Sequence, residues 1–171
     1  MSKPRWKPHV TVAAIVQDAG RYLLVEEETP DGLRLNNPAG HLDPGESPVD
    51  AVIRETLEET ARAFTPTHLV GIYLSRMRRP DRCEDLTFLR FAFAGRVGEH
   101  QALRTLDTGI VRTLWLTPDE IRAQHARLRS PLVLQCLEDH LAGQRLPLTA
   151  IHTHASVYGD MDARQRGQSG G

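Results

Sequence analysis

Glu55, Glu58 and Glu59 recur at i, i+3 and i+4, a spacing that gathers three carboxylates onto an arc of about 100 degrees if the segment is helical. At about 5.5 Å and an effective dielectric near 20, each pair repels by roughly 3 kcal/mol before salt screening. A cation relieves such a cluster. Magnesium suits it, because that ion is hard, prefers carboxylate oxygens, keeps waters and bridges phosphates; manganese is the alternative. An isolated Glu-Glu pair is ordinarily a solvated face, here with Arg54 and Arg62 to neutralise it. The surroundings point the other way. Gly40, five residues, Glu46, seven residues, Arg54-Glu55, two residues and Glu58-Glu59 describe a glycine-bearing loop running into a helix whose acidic arc can hold metal beside a phosphate.

The elements that must position these groups can be read from caps and periodicity. Ser47-Pro48-Val49-Asp50 supplies a capping hydroxyl, a proline at the first helical position and an acid in the first turn, which predicts a helix over 48–62. Val49, Val52, Ile53, Thr56 and Leu57 form its apolar stripe, leaving the three glutamates on the opposite arc. Upstream, residues 8–17 and 22–26 read as a hairpin across Asp18-Ala19-Gly20-Arg21, and a polar segment (27–35) and a loop follow with nothing regular expected before Ser47. Strand-like runs occupy 69–74, 86–94 and 110–116, the first two separated by a charged loop over 76–85. Thr117-Pro118-Asp119-Glu120 is a capping box, and Ser130-Pro131 opens a further helix that stops near Gly143. The reading is an α+β fold with a mixed sheet and helices on its faces.

At 171 residues the chain fits one domain, 7–152, with 153–171 read as a disordered tail because no periodic apolar face is present there. The formal net charge of -1 gives no field favouring long nucleic acids or anionic membranes. No apolar run approaches the roughly 20 residues of a membrane span. Cys83 and Cys136 lie far apart outside any metal-binding spacing, as ordinary thiols of a reducing cytoplasm do. The oligomeric state is left open.

The segment from Gly40 to Arg62 resembles the Nudix box, GX5EX7REUXEEXGU, departing from it at Thr56, Ala61 and Arg62. Without glycine at position 61, a helix end lacking a left-handed glycine there and a differently built loop are expected. KPHVTVA (7–13), NNPAGHL (36–42), FLRF (88–91), LRSPLV (128–133) and GQRLPL (143–148) extend the likeness to the bacterial NudJ-type phosphatases. That resemblance implies an alpha-beta-alpha sandwich, magnesium, and release of phosphate from nucleoside triphosphates and diphosphates and from thiamin-related pyrophosphates, all small-molecule phosphoanhydrides. It implies metal binding by Glu55, Glu58, Glu59 and the Gly40 carbonyl, with Glu58 also assisting water. Glu46 and Arg54 would pair to tie the loop to the helix, and Arg54 counts among the catalytic candidates in that sense. Glu55 is the first choice of general base and Asp107 the second. Asn36, Asn37, Arg90 and Arg129 are candidate substrate contacts, and Arg145 lies in a similar stretch. Two alternatives stay open: a pyrophosphohydrolase releasing pyrophosphate or a nucleoside monophosphate, including the ADP-ribose type that Pro80 suggests, and a non-catalytic nucleotide sensor.

Overall fold

The computed structural model describes residues 5–159. Its seven strands are β1 (His9–Asp18), β2 (Arg21–Thr29), β3 (Gly32–Asn36), β4 (Ala39–His41), β5 (Phe64–Arg79), β6 (Glu84–Val97) and β7 (Ile110–Leu116). The helices are α1 (Pro48–Thr60), α2 (Pro118–Ala123) and α3 (Pro131–Leu141). The strand path is β3-β2-β1-β6-β5, with β4 beside β1 and β7 beside β2. Only the β1–β6 pairing is parallel among these, so the sheet is mixed.

Strand alternation builds two cores. Val12, Ala14 and Val16 of β1, with Leu23, Leu69 and Phe93, face Ala51 and Val52 of α1. Ile15, Tyr22, Leu24, Val70, Ala92 and Ala94 turn to the other side and meet Val133, Cys136 and Leu137 of α3. Period two along the strands thus feeds helices on both faces, the alpha-beta-alpha sandwich the resemblance implies.

The helix starts behave as their caps dictate. The Ser47 hydroxyl accepts from the Asp50 amide while the Asp50 carboxylate accepts from the Ser47 amide, and Thr117 with Glu120 repeats the arrangement at α2. α1 stops at Thr60 rather than 62. Ala61 follows with φ 53° and ψ 33°, so alanine takes the left-handed conformation that glycine takes in the family pattern. The helix ends without a glycine, yet the left-handed position is kept: the Ala61 amide bonds to the Leu57 carbonyl, and the Ala61 carbonyl accepts from Gln101 at 2.8 Å.

Three other expectations change. The stretch before Ser47 is not irregular, since β2 runs on to Thr29 and β3 and β4 follow. The expected loop at 76–85 is mostly ladder, with β5 and β6 paired out to Arg79–Glu84 and closed by a 3-10 turn at Pro80–Arg82. Arg76 grips Asp85 across the two strands, while Arg79 and Arg82 both reach Asp31, so these charges zip a ribbon together. Finally, Ala155–Tyr158 form a 3-10 turn, with the Tyr158 hydroxyl 3.4 Å from Asp50; residues 160–171 of the expected tail lie outside the described residues.

Candidate active site

Gly40 and Glu55 come into direct contact. A Cβ built on Gly40 would stand 2.0 Å from the Glu55 carboxyl carbon, so a side chain here would push the Glu55 carboxylate out of its place. One residue earlier, the Ala39 amide donates to Glu59 Oε2 at 2.9 Å. The loop and the acidic side of α1 are thereby fastened at two successive residues. The acidic arc is thus largely buried at its centre, with Glu55 and Glu59 each only 9% exposed.

Arg54 joins the remaining acids. Its Nε and Nη2 donate to the two oxygens of Glu46 at 3.0 and 2.7 Å, the two-pronged geometry that guanidinium and carboxylate share. Nη1 donates to Glu55 at 2.7 Å and to Glu58 at 3.0 Å, and Nη2 also reaches the His41 carbonyl. The Glu46–Arg54 pairing is thus present, and Arg54 additionally links two of the helix glutamates. Hydrogen bonds to Arg54 pull Glu46 below the usual carboxylate range.

Burial acts the opposite way on the inner glutamates. Glu59 is pushed up to about 8 by burial, with the Ala39 amide opposing and the charges of Glu55, Glu27 and Asp107 adding to the rise. Glu55 is raised by burial against the pull of Arg54, with Glu58 and Asp107 contributing. Asp107 is exposed, and its own amide donates to the Glu58 carbonyl, which sets it beside the last turn of α1. The structure therefore gathers Glu55, Glu58, Glu59 and Asp107 at one end of the helix.

A cavity of about 350 Å3 opens beside Gly40. Arg90 forms part of its lining from β6, 7% exposed, with Nε and Nη1 lacking any hydrogen-bond partner. Burial draws its pKa down, and Cys136, Glu27 and Glu59 oppose that. Asn36 and Arg129 also line the cavity. Asn37 is buried next to Asn36, and both side-chain carbonyl oxygens are unpartnered. Ser130, Pro131 and Leu132 bring the first turn of α3 to the same wall, where the positive end of the helix dipole favours negative charge.

Sequence reasoning missed Glu27. A register shift between Glu26 and Glu27 of β2 separates their roles: Glu26 is held by Arg112 and Arg127, whereas Glu27 lines the cavity, 3.5 Å from Arg129 and raised by burial. A row of three glutamates ending a strand carries no signal of that split. Phe88, Met77 and His41 supply further walls, whereas Arg145 lies elsewhere.

No three carboxylate, histidine or cysteine side chains enclose an ion-sized space among the described residues, and Arg54 Nη1 bridges Glu55 and Glu58 instead. The donor chemistry nevertheless fits a hard divalent cation. Buried carboxylates that raise each other's pKa need positive charge before all can ionise, and only oxygen donors are offered.

The NUDIX domain pattern matches residues 7–136. The chain belongs to the Nudix family and is a Nudix hydrolase, a family that acts on small phosphoanhydrides. Phosphatase NudJ of Escherichia coli K12 is 38% identical over 146 residues, spanning 85% of this chain and 92% of the relative, and the Shigella flexneri phosphatase NudJ matches equally. A solved NUDIX hydrolase from Nitrosomonas europaea superposes with a TM-score of 0.79 at 48% identity, covering 86% of this chain and 98% of that one. The NUDIX domain of Shewanella oneidensis NrtR, solved with ADP ribose, gives a TM-score of 0.62 at 17% identity over 83% and 93% of the two chains, a likeness of fold.

Proposed function

We propose that the chain is a magnesium-dependent phosphatase that removes terminal orthophosphate from nucleoside triphosphates and diphosphates, with thiamin-related pyrophosphates as further substrates. The observation that carries this reading is Arg90: a buried guanidinium with two unpartnered donors forms part of the wall of a cavity that borders Gly40, the residue packed on Glu55. An unpartnered buried donor is costly, and a phosphate oxygen would satisfy it. Arg129 and the first turn of α3 offer more positive potential on the same wall. Similarity to the NudJ phosphatases favours terminal attack over attack at an internal phosphorus.

Magnesium, or manganese in its place, would be held by Glu55, Glu58 and Glu59 with the Gly40 carbonyl, and would neutralise charge on the phosphate oxygens. Glu55 takes the proton of the attacking water, its basicity increased by burial; Asp107, whose charge acts on Glu55, is the alternative base. Glu46 and Arg54 touch no reacting atom and position the glutamates. Two free cysteines suit a reducing cytoplasm.

Hydrolysis in oxygen-18 water tests the reading. Label should enter the orthophosphate released from ADP, and ATP should yield orthophosphate. Label in AMP, or pyrophosphate as the main product from ATP, would make the chain a pyrophosphohydrolase. Saturable binding that leaves every nucleotide intact with magnesium present would make it a sensor.

A further inference from the structure

A second cavity, about 420 Å3, lies over the first half of β5 and shares no lining residue with the one beside Gly40. His68 of β5, Arg96 of β6, His140 of α3 and Arg145 beyond α3 line it, together with Gln17 and Thr67, and no carboxylate does. Local structure brings these groups together. The β5–β6 register slips between Pro66 and His68, a bulge at Thr67 that re-aims the residues around it. Leu69 and Leu146 exchange backbone hydrogen bonds of 2.9 and 2.8 Å, which fixes Arg145 beside His68. The imidazoles of His68 and His140 stack, their centroids 6.1 Å apart and their planes within 10°.

The arrangement leaves positive and hydrogen-bonding capacity unused. Arg96 and Arg145 have no carboxylate partner among the described residues, whereas Arg76, Arg79, Arg112 and Arg122 all do. Thr67 gives its hydroxyl hydrogen to the Ala94 carbonyl, so it accepts from His68 Nδ1–H at 2.9 Å. His68 Nε2 is then the unprotonated nitrogen, and it is buried without a partner. The Tyr22 hydroxyl and His140 Nδ1 share a hydrogen bond of 2.8 Å. Nearby acids are engaged elsewhere: Glu138 holds Arg122, and Asp139 accepts from Tyr73, Gln135 and Gln144. Burial and the Arg145 charge keep both imidazoles below their usual range, and His68 lowers His140 further.

We propose that this cavity is a second anion site, holding a tetrahedral dianion of the phosphate class among His68, Arg96, His140 and Arg145 and drawing protons onto the two imidazoles as it binds. The dianion offsets the two guanidinium charges that the protein leaves uncompensated, and its negative field favours the protonated form of the imidazoles beside it. Neutral imidazoles bind the anion less well, so affinity falls as pH rises through the histidine range.

Sulfate, doubly charged throughout that range, is the first probe. Histidine ring signals, assigned with His68→Gln and His140→Gln, should shift saturably on titration. Affinity should be about ten-fold tighter near pH 6 than near pH 8, and Arg145→Ala and Arg96→Ala should each weaken it by about ten-fold with melting temperature unchanged. Orthophosphate and AMP, titrated next, separate a free anion from the phosphate of a nucleotide, and whichever saturates the same signals identifies the source. Unmoved ring signals, equal affinity at both pH values, or unaltered binding in both arginine variants overturns the proposal.

Discussion

The Glu55 carboxyl group occupies the space in which any side chain on Gly40 would have to stand, 2.0 Å from the position of a Cβ. The glycine of the box is therefore a steric requirement of the glutamate fifteen residues later in the chain. Gly40→Ala should displace Glu55, loosen its 2.7 Å bond to Arg54 and lower kcat/KM by about 100-fold or more, with a folded circular dichroism spectrum. Activity within a few-fold of wild type would mean that Glu55 can leave this position without consequence.

Glu59 couples the site to pH. Its carboxyl, pushed up to about 8 by burial, keeps a proton in the native state that the unfolded chain has already released. Without divalent ions, stability should therefore decline as pH rises from the ordinary glutamate range through about 8. Glu59→Gln keeps an acceptor for the Ala39 amide, and should flatten that decline and exceed wild type at the alkaline end by on the order of 1 kcal/mol. Thermal melts in chelator across the range decide it; parallel curves for the two proteins would refute the assignment. Glu59→Gln and Glu55→Gln should each reduce turnover by about 100-fold or more.

Arg54 is a positioning residue, and its loss should register in stability as well as rate. Arg54→Ala leaves Glu46, Glu55 and Glu58 without their shared partner and should cost about 1 to 3 kcal/mol. Arg54→Lys should restore little, because an ammonium cannot reproduce the fork on Glu46. Denaturant titrations paired with kcat and KM make the comparison, and lost turnover at unchanged stability would instead put Arg54 in contact with the reaction.

Arg90 gives the opposite stability pattern. Its two unpartnered donors mean that Arg90→Met should leave the melting temperature equal or higher, while KM for a nucleoside diphosphate rises by about ten-fold or more. An unchanged KM would remove Arg90 from the substrate site.

The glutamate spacing and the three helix starts were legible because each is local: Ser47, Thr117 and Ser130 all cap helices in the structure. What stayed hidden depends on partners distant in sequence. Arg76 and Asp85 look like loop charges until β5 and β6 pair them, and Glu27 looks solvated until Arg129 closes beside it. β3 and β4 are too short and polar to announce themselves by alternation. At Ala61 the residue type itself misleads, because packing and the Gln101 bond impose a conformation that alanine disfavours by about 1 to 2 kcal/mol.

The parallel pairing of β1 with β6 has a consequence for synthesis. Residues 9–16 meet partners about eighty positions later, so during translation the first strand must wait for most of the domain before its ladder can close. Until then Val12, Ile15 and Val16, among the best-buried side chains of the finished molecule, sit on an unpaired edge that can join a neighbouring nascent chain. Slow closure of β6 would thus reduce yield through aggregation even where the native fold is undamaged, making substitutions within 88–95 more harmful in the cell than after refolding in dilute solution.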